Sequence, residues 1–309
     1  MTNRLLGKTG LAVSPLCYGT LPFSPLQSYT GGGAATDALT RAFELGVNFL
    51  DTAQLYDNYS ILRPALAKAG RDVFVASKTY AVSREEALQA VEEARSALGR
   101  DVIDIFLLHE QESEHTLRGH AAALEALYDC KAKGIVRAVG LSTHRPEGVL
   151  AAMSAGLDVV HPLLNIAGLG LPPPGRSAME NAIRSAEGAG LGVYTMKALG
   201  GGHLWRSAEE ALAYARQYGH SLALGMRDVS EVGAAVTFFE TGALPRLTGN
   251  KSRSLHIATW CTGCGQCVAA CPNDALEVVD CKAQLRENDL CVLCGYCGAA
   301  CPEFCIKVI

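Results

Sequence analysis

No stretch of this 309-residue chain stays apolar for the roughly 18 residues that a membrane-spanning helix requires; Gly, Arg, Asp or Glu interrupts each hydrophobic run first. The opening residues, MTNRLLGKTGLAVSPL, lack the continuous apolar core and small-residue cleavage site of an export signal, so a cytoplasmic protein without a membrane partner is expected. Runs of Lys and Arg are also missing, and the net charge is −4, which argues against a surface that tracks phosphates and against nucleic acid as a partner. Cysteine is nearly absent from the first 258 residues, which hold only Cys17 and Cys130, whereas the other ten of the twelve follow Ala258. In a chain with no export signal, that clustering points to metal ligation rather than disulfides.

What is present is a long βα alternation. From Leu16 to about Glu240 short apolar runs alternate with amphipathic segments, and eight strand candidates centre on residues 16–19, 48–52, 73–77, 103–108, 138–142, 159–164, 192–196 and 222–225. Helix candidates at 36–45, 84–98, 116–133 and 178–188 carry Ala/Leu-rich faces at helical spacing, and several end near Gly. Eight such pairs in about 230 residues predict an α/β fold, a (β/α)₈ TIM barrel. An open doubly wound sheet is the alternative, but no G-x-G-x-x-G follows an early strand. Composition shifts near Ala243, giving a barrel at 1–242, a linker at 243–259 and a small cysteine-rich α+β domain at 260–309. Fifty residues are too few for an ordinary core, so bound clusters are expected to supply the missing cohesion.

Within that last domain Cys261, Cys264, Cys267 and Cys271-Pro272 form a C-x₂-C-x₂-C-x₃-C-P run, and Cys291, Cys294, Cys297 and Cys301-Pro302 form a second. Three thiolates two residues apart can wrap one iron–sulfur cubane, with Gly263, Gly265 and Gly295 permitting the tight turns. Structural zinc would call instead for separated C-x₂-C knuckles. The segment from Trp260 to Ile309 resembles bacterial two-cluster ferredoxins, and the resemblance implies two [4Fe-4S] clusters with crossed ligation. One set would be Cys261, Cys264, Cys267 and Cys301, and the other Cys291, Cys294, Cys297 and Cys271. Cys17, Cys130, Cys281 and Cys305 lie outside both runs and read as small apolar side chains.

In the barrel, Asp51 and Tyr56 in LDTAQLY, Lys78 in FVASKT and His109 in FLLHE fall near the C-terminal ends of successive strand candidates, where barrel enzymes keep their chemistry. Singly, each has a bland alternative as a cap, a solvated charge or a rim histidine. In this order, and with KGIVRAVGLSTH further on, they resemble the catalytic tetrad and fifth-strand segment of the aldo/keto reductases.

That resemblance implies carbonyl/alcohol chemistry with NADP(H) or NAD(H) on a small substrate. Tyr56 would be the general acid, Lys78 would ease loss of its proton, Asp51 would hold Lys78, and His109 would orient the substrate oxygen. Nucleotide contacts are expected from Gly19, Thr20, Ser142, Thr143, His161, Met196 and Arg227. Three of these depart from the family pattern, Thr143 standing for Asn, His161 for Gln and Met196 for a stacking aromatic; outside this set Ser60 stands for Glu, which bears on the second helix more than on the chemistry.

The combined expectation is an oxidoreductase that joins or accompanies nicotinamide chemistry with one-electron transfer through two clusters, with a redox partner protein as a further participant. A hydride carries two electrons and a cubane normally exchanges one. A different reading is therefore an iron–sulfur electron-transfer protein whose barrel is a silent scaffold or binds a flavin.

Overall fold

A computed structural model describes residues 1–27, 33–69, 73–245, 253–286 and 290–309. Eight parallel strands, β1 (Leu16–Gly19), β2 (Phe49–Asp51), β3 (Phe74–Thr79), β4 (Ile103–Leu108), β5 (Val136–Thr143), β6 (Val159–Pro162), β7 (Gly192–Met196) and β8 (Ser221–Gly225), form a closed barrel in chain order. Closure comes from β8 pairing with β1, from Leu222 opposite Leu16 to Gly225 opposite Gly19.

The helices around it are α1 (Gly33–Glu44), α2 (Tyr59–Lys68), α3 (Arg84–Leu98), α4 (Ala121–Ala132), α5 (Pro146–Ser154), α6 (Arg176–Ala189), α7 (Ala208–Ala215) and α8 (Val229–Thr241). Helix α3 shows why local sequence suffices. Ser83 and Glu86 make a reciprocal capping box, Gly99 ends the helix at φ 69°, and Ala87, Ala90, Val91, Ala94 and Leu98 form its buried stripe. The single helix expected at 116–133 is instead two, Glu114–Gly119 and α4, parted at His120, whose Nδ1 lies 2.8 Å from the Ala81 carbonyl oxygen.

Two apolar layers result. The barrel interior packs Cys17, Phe49, Ile105, Leu107, Ala138, Val159 and Tyr194 over a plug of Leu6, Leu11 and Val13 from the N-terminal hairpin. The larger layer lies between strands and helices. Cys17 and Cys130 are both buried among apolar neighbours.

The C-terminal region comprises β9 (Leu255–Ile257), α9 (Gln266–Ala269), β10 (Leu276–Val279), β11 (Lys282–Leu285), α10 (Tyr296–Ala300) and β12 (Ile306–Val308). Strand β9 pairs antiparallel with β12, Leu255 opposite Val308, so these residues belong to the cluster domain's sheet and not to the expected linker. Linker residues 246–252 fall outside the described residues.

The sequence repeat reaches the backbone. Equivalent positions in the two halves share the left-handed conformation: Gly263 (φ 68°) with Leu293 (φ 53°), Gly265 (76°) with Gly295 (89°), and Asp274 (49°) with Phe304 (46°). Holding Leu293 and Phe304 there costs conformational energy that the surrounding turns must offset.

This region docks on the loop after β7. Gly200–Gly202 forms a turn that β12 lies against: a Cβ at Gly202 would overlap the Val308 carbonyl, and one at Gly201 or Gly170 would press on the Phe304 ring. His203 inserts beside Gly295 and Gly298, with its Nε2 2.9 Å from the Ile306 carbonyl oxygen. Arg206 donates to the Val292 and Leu293 carbonyls, each at 3.1 Å.

Candidate active site and cluster sites

Strands β2, β3 and β4 deliver the four catalytic candidates to the C-terminal mouth of the barrel. Asp51 ends β2, Lys78 lies near the end of β3, His109 follows β4, and Tyr56 closes a short 3₁₀ turn after β2. Lys78 is 1% exposed and donates to Asp51 Oδ2 at 2.7 Å and to the Thr52 carbonyl at 2.8 Å. Its ammonium sits 5.1 Å from the Tyr56 ring centroid. The other Asp51 oxygen accepts from the Tyr194 hydroxyl at 2.8 Å, with His161 Nε2 3.7 Å away. The carboxylate is thus held from several sides, and Lys78 can approach Tyr56 in only one orientation.

Burial, then the charges of Asp51 and Glu110, push the Tyr56 phenol well above its ordinary range, so it stays protonated through neutral pH. His109 moves the other way, held neutral by burial and then by the Lys78 charge. It stacks on Tyr80 at 4.5 Å and meets Tyr56 edge-on at 6.0 Å, and its Nδ1 has no partner among the described residues. Tyr80 also donates to Glu110 Oε2 at 2.5 Å.

Beside this group runs a cavity of about 300 Å³, lined by Asp51 and Tyr56 at one end and by Arg227 and Arg253 among others. Of the expected nucleotide contacts, Gly19, His161, Met196 and Arg227 line it. Thr20, Ser142 and Thr143 do not. The Thr20 hydroxyl donates to the Asp51 carbonyl at 2.9 Å, the Ser142 hydroxyl accepts from the Glu110 amide at 2.9 Å, and Thr143 is committed to the Arg145 backbone. Thr20 and Ser142 thus brace backbone at or beside Asp51 and His109, and Thr143 braces the turn after β5.

His161 is stacked on Tyr194 at 3.9 Å and bonded through Nδ1 to that residue's carbonyl at 2.7 Å; burial first lowers its pKa to about 4. Arg227 pairs with Glu231 at 3.3 Å. The buried indole N–H of Trp205 has no acceptor among the described residues and belongs to the same lining, which suits a ligand carrying phosphate or carbonyl oxygens. A cavity lined by Tyr56, by basic side chains and by an unpartnered indole N–H suits a ligand that carries both a reactive ring and phosphates.

Sequence reasoning missed four lining or supporting groups: Tyr194, Lys197, Phe304 and Lys307. Tyr194 was accessible in principle, since it precedes Met196 by two on the same strand and shares its face. Lys197 directly follows the same strand, whereas Phe304 and Lys307 become part of the site only through docking of the C-terminal region.

The eight motif cysteines gather as two crossed sets. One cavity is framed by Cys261, Cys264, Cys267 and Cys301, and another by Cys271, Cys291, Cys294 and Cys297. Backbone amides point at the sulfurs: Ala275 to Cys271 at 3.3 Å, Ala283 to Cys261 at 3.4 Å and Cys305 to Cys301 at 3.4 Å. Such bonds favour thiolates and tune a cluster's potential. Cys305 borders the first cavity, buried, at the position that Ala275 occupies in the other half, while Cys281 is exposed in the turn beneath Gly263. All-thiolate donor sets around two cavities fit multi-iron clusters.

The aldo/keto reductase family model matches residues 15–228, and a 4Fe-4S binding domain matches residues 256–277. The chain belongs to the aldo/keto reductase family. Among curated relatives, the oxidoreductase YqkF of Bacillus subtilis is 29% identical over 161 residues, 47% of this chain and 50% of its own. An L-galactose dehydrogenase of Arabidopsis thaliana is 30% identical over 155 residues, 45% and 47% respectively, and a methylglyoxal reductase, DkgB, of Salmonella typhi is 29% identical over 110 residues, 33% and 39%. The chain therefore spans half or less of the length of these relatives. A solved aldo-keto reductase of Bacillus halodurans in its holo form superposes with a TM-score of 0.64 at 22% identity, covering 80% of this chain and 92% of that one, which shows the shared fold. Among the described residues no helix is long and apolar enough to cross a membrane.

Proposed function

We propose that the protein is an NAD(P)H-dependent oxidoreductase interconverting small carbonyl compounds and alcohols, with two [4Fe-4S] clusters in its C-terminal domain. The observation that carries this reading is the Asp51–Lys78–Tyr56–His109 group, with Tyr56 at the wall of a cavity of about 300 Å³ that Gly19, His161, Met196 and Arg227 also line.

Gly19, His161, Met196 and Arg227 would hold the coenzyme, which supplies or accepts hydride when bound. In the reducing direction the carbonyl carbon gains hydride, the C=O π bond opens onto oxygen, and Tyr56 gives that oxygen its proton, recovering it later from solvent. Neutral His109 orients the oxygen against Tyr56, and Asp51 with Lys78 keeps a compensated charge behind the phenol. The crossed cysteine sets would each hold a cluster and supply one-electron capacity to the same molecule.

Tyr56→Phe tests the reading. Anaerobic carbonyl reduction should drop about 10²- to 10⁴-fold with coenzyme affinity nearly unchanged. An unaltered rate would remove Tyr56 as the proton donor, and no carbonyl reduction by the wild type would shift the assignment to an electron-transfer protein with a catalytically silent barrel.

A further inference from the structure

Two lysines of the cavity are left over by that mechanism. Lys197 directly follows β7, and Lys307 sits in β12 of the C-terminal domain; both line the cavity that Asp51 and Tyr56 enter. Lys307 is 5% exposed, and its ammonium has no hydrogen-bond acceptor among the described residues, lying 4.7 Å from the Trp260 ring centroid. Lys197 Nζ lies 3.1 Å from His144 Nε2 and 4.6 Å from the Phe304 ring centroid. Glu110 faces both lysines but is a single carboxylate, its Oε2 accepting from the Tyr80 hydroxyl at 2.5 Å. Asp51 is taken by Lys78 and Tyr194, and Glu231 by Arg227. The substrate side of the mouth therefore carries positive groups in excess of the carboxylates that could answer them.

We propose that this mouth is a subsite for the carboxylate or phosphate of a small anionic carbonyl substrate, held between Lys197 of the barrel and Lys307 of the docked cluster domain. The proposal rests on the carbonyl-reductase reading and adds the substrate class to it. It also gives the docked domain a role in substrate binding, since one of the two cations arrives only with β12. Phe304, whose ring centroid is 4.6 Å from the Lys197 ammonium, lines the cavity together with both lysines.

The electrostatics agree with this geometry. Burial and then the Lys307 charge bring Lys197 down to about 7, and burial brings Lys307 down to about 8, each against the pull of Glu110. The groups facing Lys197 are Glu110 after β4, His144 after β5, Lys78 on β3 and Lys307 on β12. An anion placed between the lysines removes their mutual repulsion, so its binding near neutral pH should draw a proton onto Lys197.

The test uses the full chain with reconstituted clusters and oxalate as a non-reducible anion. Calorimetry at pH 7.5 in buffers of different ionisation enthalpy should give saturable binding with net proton uptake, lost in Lys197→Met and Lys307→Met but kept in Lys307→Arg. Glyoxylate and glyceraldehyde 3-phosphate should be preferred over glycolaldehyde and glyceraldehyde, and either Met substitution should cut that kcat/KM ratio by about 10- to 100-fold, the size expected for one lost charge-assisted contact. Absence of saturable oxalate binding overturns the proposal. So does oxalate displaced by NADPH together with a tenfold weaker NADPH affinity in Lys197→Met, which would assign the lysines to coenzyme phosphates. Reduction that favours the neutral aldehydes sinks the subsite and leaves the reductase reading standing, whereas anion binding without any carbonyl reduction does the reverse.

Discussion

The carbonyl of Val308 lies against the Cα of Gly202, so near that a Cβ there would overlap it, and Gly202 adopts φ 91°. The glycine run after β7 is therefore the seat of the cluster domain's last strand. It is also the wall of the cavity, which Gly201, Gly202, Val308 and Ile309 share.

Gly202→Val should uncouple the two regions without unfolding either. The left-handed backbone alone costs about 1–3 kcal/mol for a non-glycine residue, and the overlap adds to it. Hydrogen exchange should accelerate at the β12 amides and around His203 while the barrel strands keep their protection, and coenzyme affinity should weaken. Unchanged exchange in β12 would show that the contact does not hold the domain.

The cysteine sets make a separate prediction. Reconstituted protein should contain about eight irons and eight sulfides. Cys271→Ala should damage the site of Cys291, Cys294 and Cys297, and Cys301→Ala the site of Cys261, Cys264 and Cys267, following the two cavities. Resolving the two clusters by their electron paramagnetic resonance signals decides it. Loss confined to the mutated run would mean uncrossed ligation.

His161 gives the protein a pH dependence of known sign. Its folded-state pKa, lowered by burial to about 4 from 6.5, means that the unfolded chain takes up the proton first as pH falls. The stability that neutral His161 contributes is intact above pH 6.5 and is lost progressively down to about pH 4, worth up to roughly 3 kcal/mol. His109 and His144, also held neutral by burial, act in the same direction. The melting temperature followed by near-ultraviolet dichroism should therefore fall over this window, and less steeply for His161→Gln. Identical slopes would remove His161 from the account.

Much of this architecture could be read from residue order because its signals are local. Strands β1, β4 and β7 have the bounds that their apolar runs imply, and α3 carries its own caps. Asp51, Lys78 and His109 were visible because strand ends in a barrel converge by topology alone. What stayed hidden depends on distant partners. Strand β9 looks like linker until β12, about fifty residues later, pairs with it. Lys307 alternates with apolar neighbours as a solvent-facing strand residue would, and only docking buries it. The break at His120 escaped because its neighbours sustain the helical pattern while the interrupting bond goes to Ala81.

The proton donor supplies the sharpest test of the chemistry. Tyr56→Phe removes one hydroxyl and keeps the ring that faces Lys78 at 5.1 Å and His109 at 6.0 Å, so fold and clusters should survive. Lys78→Met removes a buried cation bonded to Asp51 and to the Thr52 carbonyl, leaving a buried carboxylate with the Tyr194 hydroxyl but no counter-charge bonded to it. It should therefore lower the melting temperature as well as the rate, whereas Tyr56→Phe should lower the rate alone. Because burial is the first cause of the raised Tyr56 pKa, the loss of rate in Lys78→Met should come from misplacement of Tyr56 rather than from a shifted titration. Its pH–rate profile should then keep the wild-type shape at a reduced height. The double variant should be no slower than Tyr56→Phe by more than a few fold, since groups acting as one unit are grossly non-additive. Multiplicative losses would mean that Lys78 acts on the reaction independently of Tyr56, and a profile whose alkaline limb moves would return Lys78 to the role of tuning the proton donor.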